Sequence, residues 1–198
     1  QLEIPVVHIQ SPILKQDEIY EIQMKAMRVL EEKQEETEFE NSQLEELNSK
    51  KIGKSFLTED RIKINVNAEN WEQAVTESGM ILEKKGLVTK NYIKAMVDNI
   101  KVNGSYIVIY PDLAIPHAEK EQGVIEEGIS FVRLKAPVQF DGKTAPVTYI
   151  VGVSVKNSDS INDMLYNLVK VFSNSILKSK LNEAKTEKEV YNLLKNKI

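Results

Sequence analysis

The chain of 198 residues is 41% hydrophobic and 28% charged, with a net charge of −4, two histidines and no cysteine. A globular protein of this size can bury a sizeable core, as one domain with an extension or as two small domains. The acidic balance argues against a nucleic-acid-binding face, the missing cysteine excludes disulfides and thiol nucleophiles, two histidines do not support a zinc site, and no run of about 18 apolar residues is present to span a membrane.

The first residues show no basic stretch followed by an apolar one, so no signal peptide is expected. The absence of cysteine fits a reducing cytoplasm. Gln1 points to a processed chain or a piece of a longer one. Residues 2–9, LEIPVVHI, read as a short strand that contains His8, a strand residue with a structural role. Ser11-Pro12 is a turn signal. From Asp17 onward Ile19, Ile22, Met27 and Leu30 recur at near-helical spacing, which predicts a helix to about residue 33. Residues 31–51 carry eight acidic side chains and few apolar ones, the pattern of a solvated linker or exposed helix. The division expected is therefore an N-terminal piece over 1–30, an acidic linker over 31–55 and a domain over 56–198.

Within that domain RIKINV (61–66) alternates like a strand. Asn70 with Gln73 makes a capping box for a helix with Trp71, Ala74, Val75, Ser78 and Leu82 on one face, closed by Gly86. Thr89 is placed to cap a second helix carrying Tyr92, Ile93, Met96, Val97 and Ile100, ended by Gly104. Strands are predicted over 105–110, 128–134 and 146–155, the last almost continuously apolar and so central. A helix starting at Ser158 or Asp159 carries Ile161, Leu165, Leu168, Val169 and Phe172. Two shorter helices follow, over 175–183 and 186–196, the latter opened by Thr186 and Glu189. Helices before, between and after strands predict an α/β fold with a mixed sheet sandwiched by helices.

The stretch YPDLAIPHAEKEQGV (110–124) concentrates the chemistry. Pro111 and Pro116 each fix a φ angle, and Pro116 biases Ile115 toward extended backbone. His117 thus sits on a stiff loop ahead of a polar run and is expected to present its imidazole to solvent. A histidine so placed reads either as a hydrogen-bonded structural residue or as a nucleophile or base at neutral pH. A neutral ring nitrogen can also accept a phosphoryl group, a transfer that needs mainly in-line positioning. No neighbour in the sequence supports a Ser/His/Asp arrangement.

With NWEQAV (70–75), LVTKNYIKAM (87–96), GSYIVIYPDLAIPHAEKEQGV (104–124) and PVQFDG (137–142) at fitting distances, the chain resembles enzyme IIA domains of the bacterial phosphoenolpyruvate-dependent sugar phosphotransferase system. The resemblance covers roughly 56–196 and is strongest to the mannitol/fructose type and its ascorbate-like subgroup. It implies that His117 takes a phosphoryl group from the carrier HPr and passes it to an enzyme IIB domain, as a phosphohistidine carrier rather than a turnover enzyme. No cofactor or metal is implied. The family commonly has a second histidine at the start of the helix after the central strand. Here SDSINDMLYNLVKVF offers none, and the position falls at Met164 or a near neighbour. Asn162 or Asp163 is the nearest substitute as a hydrogen-bonding partner for His117, though a carboxylate would repel a phosphoryl group. The arginine often found before the active loop is also missing. Lys101 lies near that place, either offsetting phosphate charge without a guanidinium's fork or simply solvated at a helix end.

Residues 4–22 are similar to the final strand, loop and helix of an enzyme IIB-like domain. A IIB-like piece, a linker and a IIA-like domain in that order match the arrangement in sugar-responsive transcriptional regulators and antiterminators. The resemblance thus implies a regulatory phosphoacceptor module, with any nucleic-acid contact made by other parts of a longer chain. Two alternatives stay open: a phosphocarrier component of an ascorbate-, mannitol- or fructose-like transporter, and a non-catalytic interaction module with a IIA fold. The polar segment 31–51 leaves pairing between copies open as well.

Overall fold

A computed structural model describes residues 56–142, 144–156 and 158–198, without the side chains of residues 158–161 and 163. The N-terminal strand and helix, His8, the acidic linker and the IIB-like piece all lie outside the described residues. A short 3-10 turn at Glu59–Arg61 leads into β1 (Ile62–Val66). Helices α1 (Trp71–Lys84) and α2 (Lys90–Asn103) follow, then β2 (Val108–Tyr110), β3 (Leu113–Ala114), β4 (Gly128–Val138) and β5 (Val147–Ser154). The chain ends in α3 (Ser158–Ser173), α4 (Ser175–Glu183) and α5 (Glu187–Leu194). The five strands form one sheet in the order β1-β4-β5-β3-β2. β1 runs parallel to β4 and β3 parallel to β5, whereas β4–β5 and β2–β3 are antiparallel, so the sheet is mixed.

The apolar run 147–154 occupies the middle of the sheet, as its lack of alternation requires, because both of its faces are covered. α1 packs against β4 and β5 with Ala74, Val75, Ser78 and Leu82 buried. That approach is close. A Cβ on Gly152 of β5 would stand 2.6 Å from Ser130 Oγ and 3.0 Å from Ser78 Oγ. The two buried serines satisfy themselves locally, Ser78 donating to the Val75 carbonyl and Ser130 to the Ser78 carbonyl, at 2.7 and 2.8 Å.

Several boundaries depart from the sequence pattern. The predicted strand 105–110 is shortened to Val108–Tyr110, and Leu113–Ala114 forms an additional two-residue strand. Pro111 followed by Asp112 at φ 74° makes the tight connection between them, the pattern of a type II turn. β4 runs on to Val138 through Pro137. This is tolerated because β1 pairs with β4 no further than Leu134, so the proline removes no ladder donor on that side.

The Asn70 carboxamide accepts from the Gln73 N–H at 2.9 Å, but Gln73 returns its bond to the Glu69 N–H, one residue before the cap. Thr186 and Glu189 repeat this, with Glu189 reaching the Lys185 N–H. Thr89 holds the cap position without a side-chain capping bond.

Buried Arg133 of β4 holds the C-terminal helices onto the sheet. Its guanidinium donates to the carbonyls of Leu181, Asn182 and Ala184 at the end of α4, where helix polarity favours a cation. Among the described residues no helix is long and apolar enough to cross a membrane.

Candidate phosphoacceptor site

His117 lies just beyond β3 at the C-terminal half of the central strand, and backbone bonds on both sides hold it there. The Ile115 N–H donates to the Ile107 carbonyl at 2.8 Å, and the Pro116 carbonyl accepts from Val153 of β5 at 3.1 Å. Immediately after the histidine, the Ala118 N–H donates to the Tyr92 hydroxyl at 3.0 Å. A phenol has one hydrogen to give, and the shorter contact, 2.7 Å, is to the Val153 carbonyl. The Tyr92 hydroxyl thus bridges the histidine loop to the middle strand. It is fully buried, and burial pushes its pKa up to about 12, so it stays protonated.

The turn upstream is fixed independently. The Asp112 carboxylate accepts from the Thr148 N–H at 2.7 Å and pairs with Lys178 at 3.2 Å, while its carbonyl accepts from Tyr149 at 3.1 Å.

These tethers determine the ring's environment. His117 is 4% exposed, which corrects the expectation of a solvent-presented imidazole. The physical reason is that Pro116 bonds to β5 and Ala118 to Tyr92, so the residue between them is drawn onto the sheet. Solvent exposure begins only at Glu119.

His117 Nδ1 lies 2.8 Å from the Ile115 carbonyl oxygen. A carbonyl can only accept, so Nδ1 carries the proton and Nε2 the free lone pair. Nε2 is buried and has no hydrogen-bond partner among the described residues. Burial lowers the pKa of the imidazole below its usual value, opposed in part by the bond to Ile115. The ring is therefore neutral at pH 7, with its proton on Nδ1 and a buried lone pair on Nε2.

Tyr106 stands against it edge-on, with ring centroids 5.6 Å apart and planes at 86°. Tyr106 is 5% exposed and its hydroxyl is also buried, without a partner among the described residues. Burial, and secondarily the Tyr92 phenol, push its pKa upward.

The other residues singled out from the sequence are not joined to His117. Lys101, at the end of α2, is half-exposed and paired with Glu72 of α1 at 2.9 Å. Asn162 of α3 is half-buried with its Oδ1 unpaired, and no hydrogen bond links it to the imidazole, whose Nδ1 is taken by Ile115. Met164 is buried in the core, and the Asp163 side chain lies outside the described residues. Tyr92, Tyr106 and Asp112 were not singled out from the sequence. Tyr92 and Asp112 act through partners 26 to 66 positions away. Tyr106 read only as part of an apolar strand. Among the described residues no group of three His, Asp or Glu side chains is placed to hold a metal ion.

The sequence similarity agrees with this arrangement. The mannitol-specific cryptic phosphotransferase enzyme IIA component of Escherichia coli K12 is 28% identical over 139 residues, 70% of this chain and 95% of that protein. The ascorbate-specific PTS system EIIA component of the same organism is 29% identical over 146 residues, 73% of this chain and 95% of the relative. The solution structure of the E. coli mannitol-specific cryptic enzyme IIA, CmtB, superimposes with a TM-score of 0.60 at 28% identity, covering 70% of this chain and 94% of that one. The E. coli IIA mannitol crystal structure shares the fold, with a TM-score of 0.61 at 24% identity, covering 70% and 98% of the two chains. Residues 55–197 match the family model described as phosphoenolpyruvate-dependent sugar phosphotransferase system, EIIA 2, and the chain belongs to that family.

Proposed function

We infer that His117 is the phosphoacceptor of this EIIA domain and that its Nε2 is the atom that carries the phosphoryl group. The observation that supports this most is the neutral ring whose Nδ1–H is committed to the Ile115 carbonyl while Nε2 is left with a free lone pair. In the transfer, that lone pair attacks the phosphorus of a phosphorylated carrier of the HPr type. The Nε2–P bond forms as the donor's N–P bond breaks, and the donor nitrogen keeps the electron pair. No proton leaves His117, because Nδ1–H stays on Ile115. Passage onward to a IIB-type partner runs the same exchange in the other direction. In-line positioning is the main requirement of such a step. Because Nε2 is covered in the resting protein, the incoming carrier has to uncover it. The loop itself stays tethered at Ile115, Pro116 and Ala118. Lys101 and Asn162 have at most secondary parts in this reading, since neither bonds His117.

The role of the domain in a larger system follows from the sequence around it. We take it to be a cytoplasmic regulatory module of a sugar-responsive transcriptional regulator, switched when phosphorylation places a doubly charged phosphoryl group on the ring, a net gain of about one negative charge while Nδ1 keeps its proton. The IIB-like sequence over 4–22, the acidic segment after it and the missing second histidine favour this. The second reading, a phosphocarrier component of a sugar transporter, is favoured by the mannitol- and ascorbate-specific relatives, 95% of whose length is matched.

Incubating the full chain with enzyme I, HPr and labelled phosphoenolpyruvate tests both. Acid-labile label on the parent and none on His117→Ala is expected. Label that proceeds to a IIB protein and then to sugar favours the transporter, and label that stays favours the regulator. A parent that takes no label leaves only an interaction module.

A further inference from the structure

The hydroxyl of Tyr106 is hard to explain as core filling. Its ring makes the edge contact to His117 that a phenylalanine would make equally well. The oxygen is buried and bonds to nothing among the described residues, which costs stability with no visible return. The ring it contacts edge-on carries a second buried polar atom with no partner among the described residues, Nε2 of the same histidine. The two do not bond each other. A donor and a lone pair left unmatched on touching rings fit a third group that engages both.

A phosphoryl group on Nε2 is such a group: its phosphorus takes the lone pair, and its oxygens need donors. The two cations considered as donors are committed elsewhere. Lys101 pairs with Glu72, and the Arg133 guanidinium is spent on the carbonyls that end α4. The chain has no further histidine after His117.

Resting on the reading of His117 as phosphoacceptor, we propose that the Tyr106 hydroxyl donates a hydrogen bond to the phosphoryl group carried on His117 Nε2. The hydroxyl keeps its proton throughout. It serves as an anion-binding donor, not an acid, and the bonds made and broken are those at phosphorus already described. A neutral donor binding a charged oxygen makes one of the stronger classes of hydrogen bond. The unphosphorylated site thereby carries an unsatisfied group that only the phosphorylated one satisfies.

The test is Tyr106→Phe in the full chain, phosphorylated by enzyme I, HPr and phosphoenolpyruvate. The readouts are the single-turnover labelling rate, the lifetime of the label, the 31P shift of the phosphohistidine, the Tm and the 15N-detected tautomer of His117. The proposal predicts an unphosphorylated variant with an unchanged or higher Tm and an unchanged tautomer. It also predicts a displaced 31P signal and a labelling rate or label lifetime reduced about 10- to 100-fold, as loss of one charge-assisted bond implies. Fluorotyrosine at 106, a stronger donor of nearly the same shape, should lengthen the lifetime relative to the parent. A labelled parent with a variant of equal rate, lifetime and 31P shift overturns the Tyr106 assignment while leaving His117 as acceptor. A lower Tm with an altered tautomer makes Tyr106 a packing residue and also overturns it. A parent that takes no label defeats the reading of His117 on which the assignment rests.

Discussion

Removing one oxygen, in Tyr92→Phe, should unfasten the histidine loop. The hydroxyl accepts from the Ala118 N–H at 3.0 Å and donates to the Val153 carbonyl at 2.7 Å, and the side chain is wholly buried. The phenylalanine ring fills the same space, so no cavity term enters. What is lost is the partner of two backbone groups in a place that water does not reach. Each group left unsatisfied costs about 1–3 kcal/mol, so the pair costs about 2–4 kcal/mol once some relaxation is allowed. For a chain of this length about 2–4 °C of Tm accompanies each kcal/mol, which gives a fall of roughly 5–15 °C. Calorimetry or thermal circular dichroism measures it. Histidine 15N spectra should at the same time show the single Nδ1–H tautomer of His117 giving way to a mixture, because the tether on its C-terminal side is gone. A variant that melts within a degree of the parent and keeps one tautomer would refute the view that this hydroxyl positions the loop.

Acidification should destabilise the fold through His117. Burial keeps its folded pKa below the ordinary 6.5, so between the two values the unfolded chain binds the extra proton and stability falls as pH drops from 7 toward 5. Denaturant midpoints against pH should flatten in His117→Gln, and an unchanged slope speaks against a buried neutral ring. Gly152→Ala should cost about 1–3 kcal/mol by urea unfolding, since its Cβ would meet Ser130 Oγ at 2.6 Å. Adding Ser130→Ala should recover part of that, and no recovery would mean that the strain lies elsewhere. Lys101→Ala should leave phosphoryl acceptance within about two-fold of the parent and cost under about 1 kcal/mol, because its half-exposed pair with Glu72 is screened by solvent. A large loss of labelling in that variant would bring Lys101 back into the site.

What could be read from the residues alone was whatever is local. The run 147–154 announced a central strand because it does not alternate, and it sits between β4 and β3. Gly104 stopped α2 where predicted, at φ 78°. Leu113–Ala114 escaped because two residues bounded by prolines carry no periodicity, and their strand character comes from pairing with Tyr149 and Ile150. The capping boxes were legible in composition but not in their wiring, since Gln73 and Glu189 reach one residue further back than expected. At the site, His117 stood out on a loop with prolines at 111 and 116, and the bonds at Ile115, Pro116 and Ala118 tie its backbone. Its burial was not legible, because that depends on a tyrosine 25 positions earlier on a helix and a strand 36 positions later. No local pattern encodes a bond between Tyr92 and Val153.

Everything proposed for this site depends on Nε2 of His117 receiving the phosphoryl group. The most direct measurement is 31P and 15N NMR on the full chain after treatment with enzyme I, HPr and phosphoenolpyruvate. One phosphohistidine signal is expected, coupled to Nε2 of His117, with Nδ1 still protonated. A phosphoryl group on Nδ1, on another residue or on none would contradict it.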